Sequence, residues 1–209
     1  LRGPHNAENV MAALAVGRIL QLPLENMIRS LKSFNAAPHR CELVGEMNGV
    51  QFVNDSKATN LDAMMKAIQA TPYVSPKEPN VWLIAGGSDK GFEFHDAGPL
   101  LAQRVKGAIL IGETSGRMKS AWNLFTNCRT ADDLEEAVRT AAQQAELGDV
   151  ILLSPACASF DQFSGYEERG NRFKEIVADL LRTTYSGAPY FGTTTDGNFT
   201  LNSNTEHQP

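Results

Sequence analysis

Apolar residues recur along this chain with two distinct periods. In 6–20 (Val10, Ala13, Leu14, Ile19) and 24–33 (Leu24, Met27, Ile28, Leu31) they fall three and four apart, which predicts two helices broken at Pro23. Ala36-Ala37-Pro38-His39-Arg40 then reads as a linker, because a proline holds the residue before it extended. From Arg40 onward short apolar runs alternate with helical spacing. Strands are expected at 41–47, 50–53, 81–85, 108–111 and 150–153, with Asn48-Gly49 closing a hairpin between the first two. Helices are expected at 61–70, 97–105, 115–123, 132–145 and 171–181. Such alternation predicts an α/β layer fold. Beyond Thr183 the chain is rich in Gly, Thr, Asn and Ser without periodicity, and disorder is expected there.

Polar chemistry concentrates where strands end. Asn54-Asp55-Ser56-Lys57-Ala58-Thr59-Asn60 sets a carboxylate, an ammonium, two hydroxyls and two amides between a strand and a helix. Taken alone the stretch is equally well an Asx or Ser cap for that helix. Gly86-Gly87-Ser88-Asp89-Lys90-Gly91, Gly112 to Gly116 and the segment from Ser154 also follow strands. In a parallel sheet these ends gather on one edge, so Lys57, Thr59, Lys90 and Ser159 are expected to share a cleft. Each has a plainer alternative: Lys90 as a solvated turn lysine, Ser154 and Ser159 as caps, Cys157 as core. His5 has no partner that would mark it as a base.

With 209 residues, one good core plus extra pieces is expected rather than two full domains. The net charge of −5 offers no basic field to nucleic acid, so an anionic ligand must be held by local cations. Cys41, Cys128 and Cys157 are odd in number and far apart; they are expected to be reduced, mostly buried thiols of a cytoplasmic protein. No run approaches the ~18 apolar residues of a membrane helix, so no membrane insertion is expected. The chain begins with Leu, and its first two helices have an apolar face with nothing before it to pack on, so a preceding domain is expected.

Neither G-x-G-x-x-G nor G-x-S-x-G occurs. The missing fingerprint argues against a nicotinamide oxidoreductase. Gly112 to Ser120 approaches a P-loop, but its second glycine comes one residue early and Lys119 does not follow it.

Asn54 to Asn60, Gly86 to Lys90, Ser154-Pro-Ala-Cys-Ala-Ser-Phe-Asp-Gln-Phe163 and Tyr166-Glu-Glu-Arg-Gly-Asn171, with Gly3 to Asn9 and Pro38-His39-Arg40, together resemble the Mur ligase family, in its D-glutamate-adding branch. The similarity runs from residue 1 to about 183. It implies a Rossmann-like, mostly parallel sheet flanked by helices over 38–184, the domain that receives the amino acid. Residues 1–37 would then be the last helices of a central ATPase domain, and 185–209 a disordered tail. The implied activity is ATP-dependent ligation of D-glutamate to UDP-N-acetylmuramoyl-L-alanine in peptidoglycan biosynthesis, through an acyl phosphate.

The resemblance implies roles residue by residue. Asn6 and Asn9 fall to the adenine, and Arg40 and Asp55 to the ribose region of ATP. Lys57, Thr59, Lys90 and Ser159 fall to the D-glutamate carboxylates, with Phe160 and Tyr166 beside them. The family pattern has phenylalanine where this chain has Tyr166, whose hydroxyl therefore needs a polar partner or water. No catalytic residue and no metal ligand is expected in this chain; the P-loop and the Mg2+ ligands would lie in the missing part of the central domain, and without them the piece would be inactive. The chain is expected to be monomeric. An alternative is a non-catalytic Rossmann-like module that binds an acidic metabolite.

Overall fold

The computed structural model describes residues 4–34, 36–73, 78–91, 93–184, 191–193 and 199–201. Two helices, α1 (Pro4–Ile19) and α2 (Leu24–Ser33), precede a six-stranded sheet. The sheet comprises β1 (Glu42–Met47), β2 (Val50–Asn54), β3 (Val81–Gly86), β4 (Val105–Ile111), β5 (Asn127–Thr130) and β6 (Val150–Leu153), in spatial order β1-β2-β6-β3-β4-β5. Only β1 runs antiparallel to its neighbour. The hairpin that makes it so turns on Asn48 (φ 52°) and Gly49 (φ 76°), two positive φ values in succession, as a two-residue turn matched to strand twist requires.

The crossovers distribute helices over both faces. From β2 to β5 the chain steps outward through α3 (Leu61–Ala70), α4 (Gly98–Arg104) and α5 (Ser115–Trp122), all on one face. It then returns through α6 (Leu134–Gln144) on the opposite face, inserts β6 between β2 and β3, and ends the layer with α7 (Tyr166–Thr184) beside α6. Reversing the direction of travel while keeping right-handed crossovers puts the returning helices on the second face. Alternate residues of the central strands consequently feed two cores: Leu83, Ala85, Leu110 and Leu152 pack with Met64, Ile68 and Trp122, whereas Ile84, Ile109 and Ile151 pack with Val138, Phe173 and Val177. Buried on both faces, β3 and β6 are apolar throughout their interior, and each fully buried Leu or Ile contributes roughly 1.5–3 kcal/mol.

Local chemistry fixes the helix starts. Asn60 accepts from Ala63 N at 2.8 Å and Asp133 from Glu136 N at 2.8 Å, so the Asx-cap reading of the Asn54 to Asn60 stretch holds for its last residue. Several elements differ from expectation: β4 begins at Val105, the expected end of a helix and three residues before Ala108. The strand β5 is absent from the sequence reading. The helix α7 starts at Tyr166, five residues before Asn171, and Cys41 (φ 45°) lies outside β1. In the tail, expected to be disordered, two short strands pair antiparallel, β7 (Phe191–Thr193) and β8 (Phe199–Leu201). The rest of 185–209 lies outside the described residues. Among the described residues no helix is long and apolar enough to cross a membrane.

Candidate functional site

The loops that leave β2, β3 and β6 meet at the carboxyl edge of the sheet, and Arg169 of α7 is the tie between two of them. Its guanidinium, 1% exposed, donates to Ser56 Oγ (3.0 Å) and Ser56 O (2.9 Å) on the β2 loop, and to Cys157 O (3.1 Å) and Ala158 O (3.3 Å) on the β6 loop. Burial lowers its pKa to about 10, still far above neutrality, so it remains charged. The β3 loop joins by a bridge from Ser88 to Ala158, with Ser88 N donating to Ala158 O at 2.9 Å. That approach needs Gly87 (φ 143°), because a side chain there would strike the Ala158 carbonyl. Asp161 accepts from Ser88 Oγ (3.3 Å) and from Glu113 N (3.1 Å), which brings in the loop after β4.

The linker is pinned to the same edge. His39 (φ 63°) is buried, with Nδ1 3.0 Å from Asn54 Nδ2, its ring edge-on to Tyr166, and Gly170 so close that any Cβ there would collide with the imidazole. Burial foremost, then Lys174, holds the His39 pKa below its usual value. His39 O accepts from Lys57 N at 3.1 Å, so linker and β2 loop share a backbone bond. Asp55 closes the junction: its carboxylate accepts from Cys41 N (3.1 Å) and from Ser154 Oγ (2.8 Å). Burial lifts the Asp55 carboxyl to about 6, against the opposing hydrogen bonds. Cys41 is exposed as a residue, but burial of its sulfur, followed by the Asp55 charge, pushes the thiol up to about 12.

Between α1, α2, the linker and α3 lies a cleft of about 610 Å3. Asn6, Asn9, Val10 and Ala13 line it from one face of α1, Arg40 and Cys41 from the linker, Asp55, Lys57 and Ala58 from the β2 loop, and Lys66 from α3. Its size suits a nucleotide-sized ligand. Its polar groups are two carboxamides, three cations and one buried carboxyl, a set able to pair with a heterocycle edge and to hold an anion.

The four residues assigned to ATP by resemblance, Asn6, Asn9, Arg40 and Asp55, thus line one cleft, and Lys57 lines it with them. Tyr166 is in contact with Lys57: Lys57 Nζ donates to the Tyr166 hydroxyl at 2.8 Å and stands 4.5 Å from the ring centroid. The polar partner that the Tyr166 hydroxyl required is therefore Lys57. Thr59, Lys90, Ser159 and Phe160 do not line the cleft. Thr59 is half-buried before the α3 cap, Ser159 is 2% exposed in the β6 loop, and Lys90 and Phe160 are exposed. Their loops are joined through Ser88, Ala158 and Arg169, but the four expected carboxylate ligands do not all face one enclosed space. Among the described residues no three His, Cys, Asp or Glu side chains group as metal ligands.

Sequence reasoning gave no role to Arg169, His39 or Ser56, although all three hold the site together. One signal was present: Arg169 lies four residues before Phe173 and eight before Val177, on the stripe of α7 that is buried. A charge on such a stripe demands partners.

The family model described as "Mur ligase, glutamate ligase domain" matches residues 39–157. Among curated relatives, the UDP-N-acetylmuramoylalanine–D-glutamate ligase of Desulfitobacterium hafniense is 46% identical over 179 residues, covering 85% of this chain and 38% of the relative. That of Aquifex aeolicus is 42% identical over 177 residues, 85% of this chain and 41% of the relative. The chain therefore spans about two fifths of the length of these relatives. Among solved structures, the UDP-N-acetylmuramate–alanine ligase of Thermotoga maritima matches with a TM-score of 0.62 at 18% identity, covering 86% of this chain and 39% of that one, a likeness of fold. A six-stranded sheet of this order and a family match across more than half of its length lead to one conclusion: the chain belongs to the Mur ligase family and carries its glutamate ligase domain.

Proposed function

We propose that this chain is the C-terminal portion of an ATP-dependent ligase that joins D-glutamate to UDP-N-acetylmuramoyl-L-alanine in peptidoglycan synthesis. The observation that carries the reading is the cleft in which Asn6, Asn9, Arg40, Asp55 and Lys57 meet, between the leading helices and the α/β layer. The similarity to relatives named for that reaction, over 85% of this chain, supports it.

ATP, when bound, supplies the phosphoryl group that activates an acceptor carboxylate. Asn6 and Asn9, one turn apart on α1, offer donors and acceptors to an adenine edge, and Arg40 offers a guanidinium to the ribose region. Asp55 contributes by holding the linker and the β6 loop in register through Cys41 N and Ser154 Oγ, and by lining the ribose side of the cleft. Lys57, Thr59, Lys90 and Ser159 bind the carboxylates of D-glutamate, with Phe160 and Tyr166 packing beside it. Lys90 is exposed and Ser159 buried, so full engagement requires the central domain and the α/β layer to close over the amino acid. Closure also excludes water from a hydrolysable activated carboxylate. In this reading residues 1–37 belong to the central ATPase domain and the linker at Ala36 to Pro38 is the hinge.

The test is Lys90→Ala in the ligase that carries this chain. The KM for D-glutamate is expected to rise at least tenfold, because a charge partner of a carboxylate is removed, while ATP affinity stays within about twofold. An unchanged KM for D-glutamate refutes the assignment of Lys90.

A further inference from the structure

Tyr166 opens α7 and is fixed from three sides. Its backbone carbonyl accepts from Ser56 Oγ at 2.8 Å, the same hydroxyl takes a hydrogen bond from Arg169 Nε, and the His39 ring stands edge-on to its own at 6.1 Å between centroids. Against this fixed ring lies a flexible side chain. The Lys57 ammonium donates to the Tyr166 hydroxyl at 2.8 Å and stands 4.5 Å from the ring centroid. The neighbouring Glu167 carboxyl is held below its usual range, foremost by hydrogen bonding with Tyr166. The backbone of Lys57 is held as well, through its N–H to His39 O at 3.1 Å.

We infer that Tyr166 is a positioning residue: its hydroxyl holds the Lys57 ammonium at the wall of the cleft, ready for an incoming carboxylate. This rests on the reading of Lys57 as a D-glutamate ligand. A lysine loses rotamer entropy when it is fixed on a ligand. Fixing it beforehand, by its bond to Tyr166, removes much of that cost from the binding step. With one N–H committed to Tyr166, two remain to meet the paired oxygens of a carboxylate. A phenylalanine at 166 would lack the acceptor, so the hydroxyl is the part that directs the ammonium.

A double-mutant cycle in the ligase that carries this chain tests the inference. Tyr166→Phe is expected to raise the KM for D-glutamate by roughly three- to tenfold, with kcat within about twofold, because uniform binding is lost and the chemical step is untouched. Lys57→Ala is expected to raise it further, and adding Tyr166→Phe to Lys57→Ala is expected to change nothing more. On the chain itself, the Lys57 ammonium should give a slowly exchanging nitrogen–proton NMR signal that Tyr166→Phe abolishes. Equal effects of Tyr166→Phe with and without Lys57, or an ammonium signal indifferent to it, overturn the inference and leave the proposed function standing. An unchanged KM in Lys57→Ala removes Lys57 from the amino-acid site, and the inference falls with it.

Discussion

Asp55 is a carboxyl whose burial the fold tolerates at a measurable expense, and replacing it with asparagine exposes that expense. Asp55 is 7% exposed, and burial, opposed by the donors Ser154 Oγ and Cys41 N, lifts its pKa from 3.8 to about 6. Between those values the folded chain keeps a proton that the unfolded chain has lost, so stability falls as pH rises through that window. A lift of this size is worth on the order of 3 kcal/mol. Asn keeps the shape and one acceptor but has no charge to desolvate. The stability of Asp55→Asn relative to the natural chain is therefore expected to grow by about 2–3 kcal/mol between pH 4 and pH 7. His39 acts in the opposite sense: with its pKa lowered below 6.5, its contribution is full above that pH and is lost as pH falls. Both proteins contain His39, and the difference between them at each pH removes it. Urea unfolding, followed by fluorescence of the buried Trp82 and Trp122, gives that difference directly. A gap that stays constant from pH 4 to pH 7 would show that the Asp55 carboxylate is not desolvated by folding, and the reasoning would fail.

Other perturbations probe the same junction. Arg169→Met keeps the buried length but leaves Ser56 O and Cys157 O without their side-chain donor and Ala158 O with Ser88 N alone; a loss of about 3–5 kcal/mol in urea unfolding is expected, and a loss below about 1 kcal/mol would refute the role of Arg169 as the tie between loops. Gly170→Ala would drive the His39 ring from its pocket, at about 1–3 kcal/mol, and the imidazole should titrate closer to 6.5 by NMR as it gains water. An unmoved His39 titration would mean that the ring finds room elsewhere without leaving the interior.

Much of the architecture was legible because it is dictated locally. Asn48-Gly49 specified its hairpin through two left-handed residues, and the apolar runs at Val81 and Val150 could hardly be anything but buried strands. The strand β5 escaped because it lies at the sheet edge, where only Cys128 of Asn127–Thr130 is buried, and the pattern is too polar to read. The early start of α7 was hidden by Gly165, Gly170 and Asn171, which read as breakers; tertiary contacts on Tyr166 and Arg169 outweigh that propensity. At the site, the spacing of Asn6, Asn9, Val10 and Ala13 announces a single helix face, and that face lines the cleft. What no spacing could convey is the pinning of His39, which depends on Asn54 and on Gly170, 116 residues further along from Asn54. Nor could it separate an exposed Lys90 from a buried Ser159, since both simply follow strands.

The position of β6 bears on how the molecule comes into being. The last parallel strand to leave the ribosome is the one that seats itself at the middle of the sheet, joining β2 on one side to β3 on the other. Until Leu153 has been synthesised, the opening hairpin and the later β3 to β5 layer have no shared seam, and each presents an unsealed backbone edge. Assembly must therefore finish from the inside, in a late step of high contact order that completes both cores and the ligand-facing edge together.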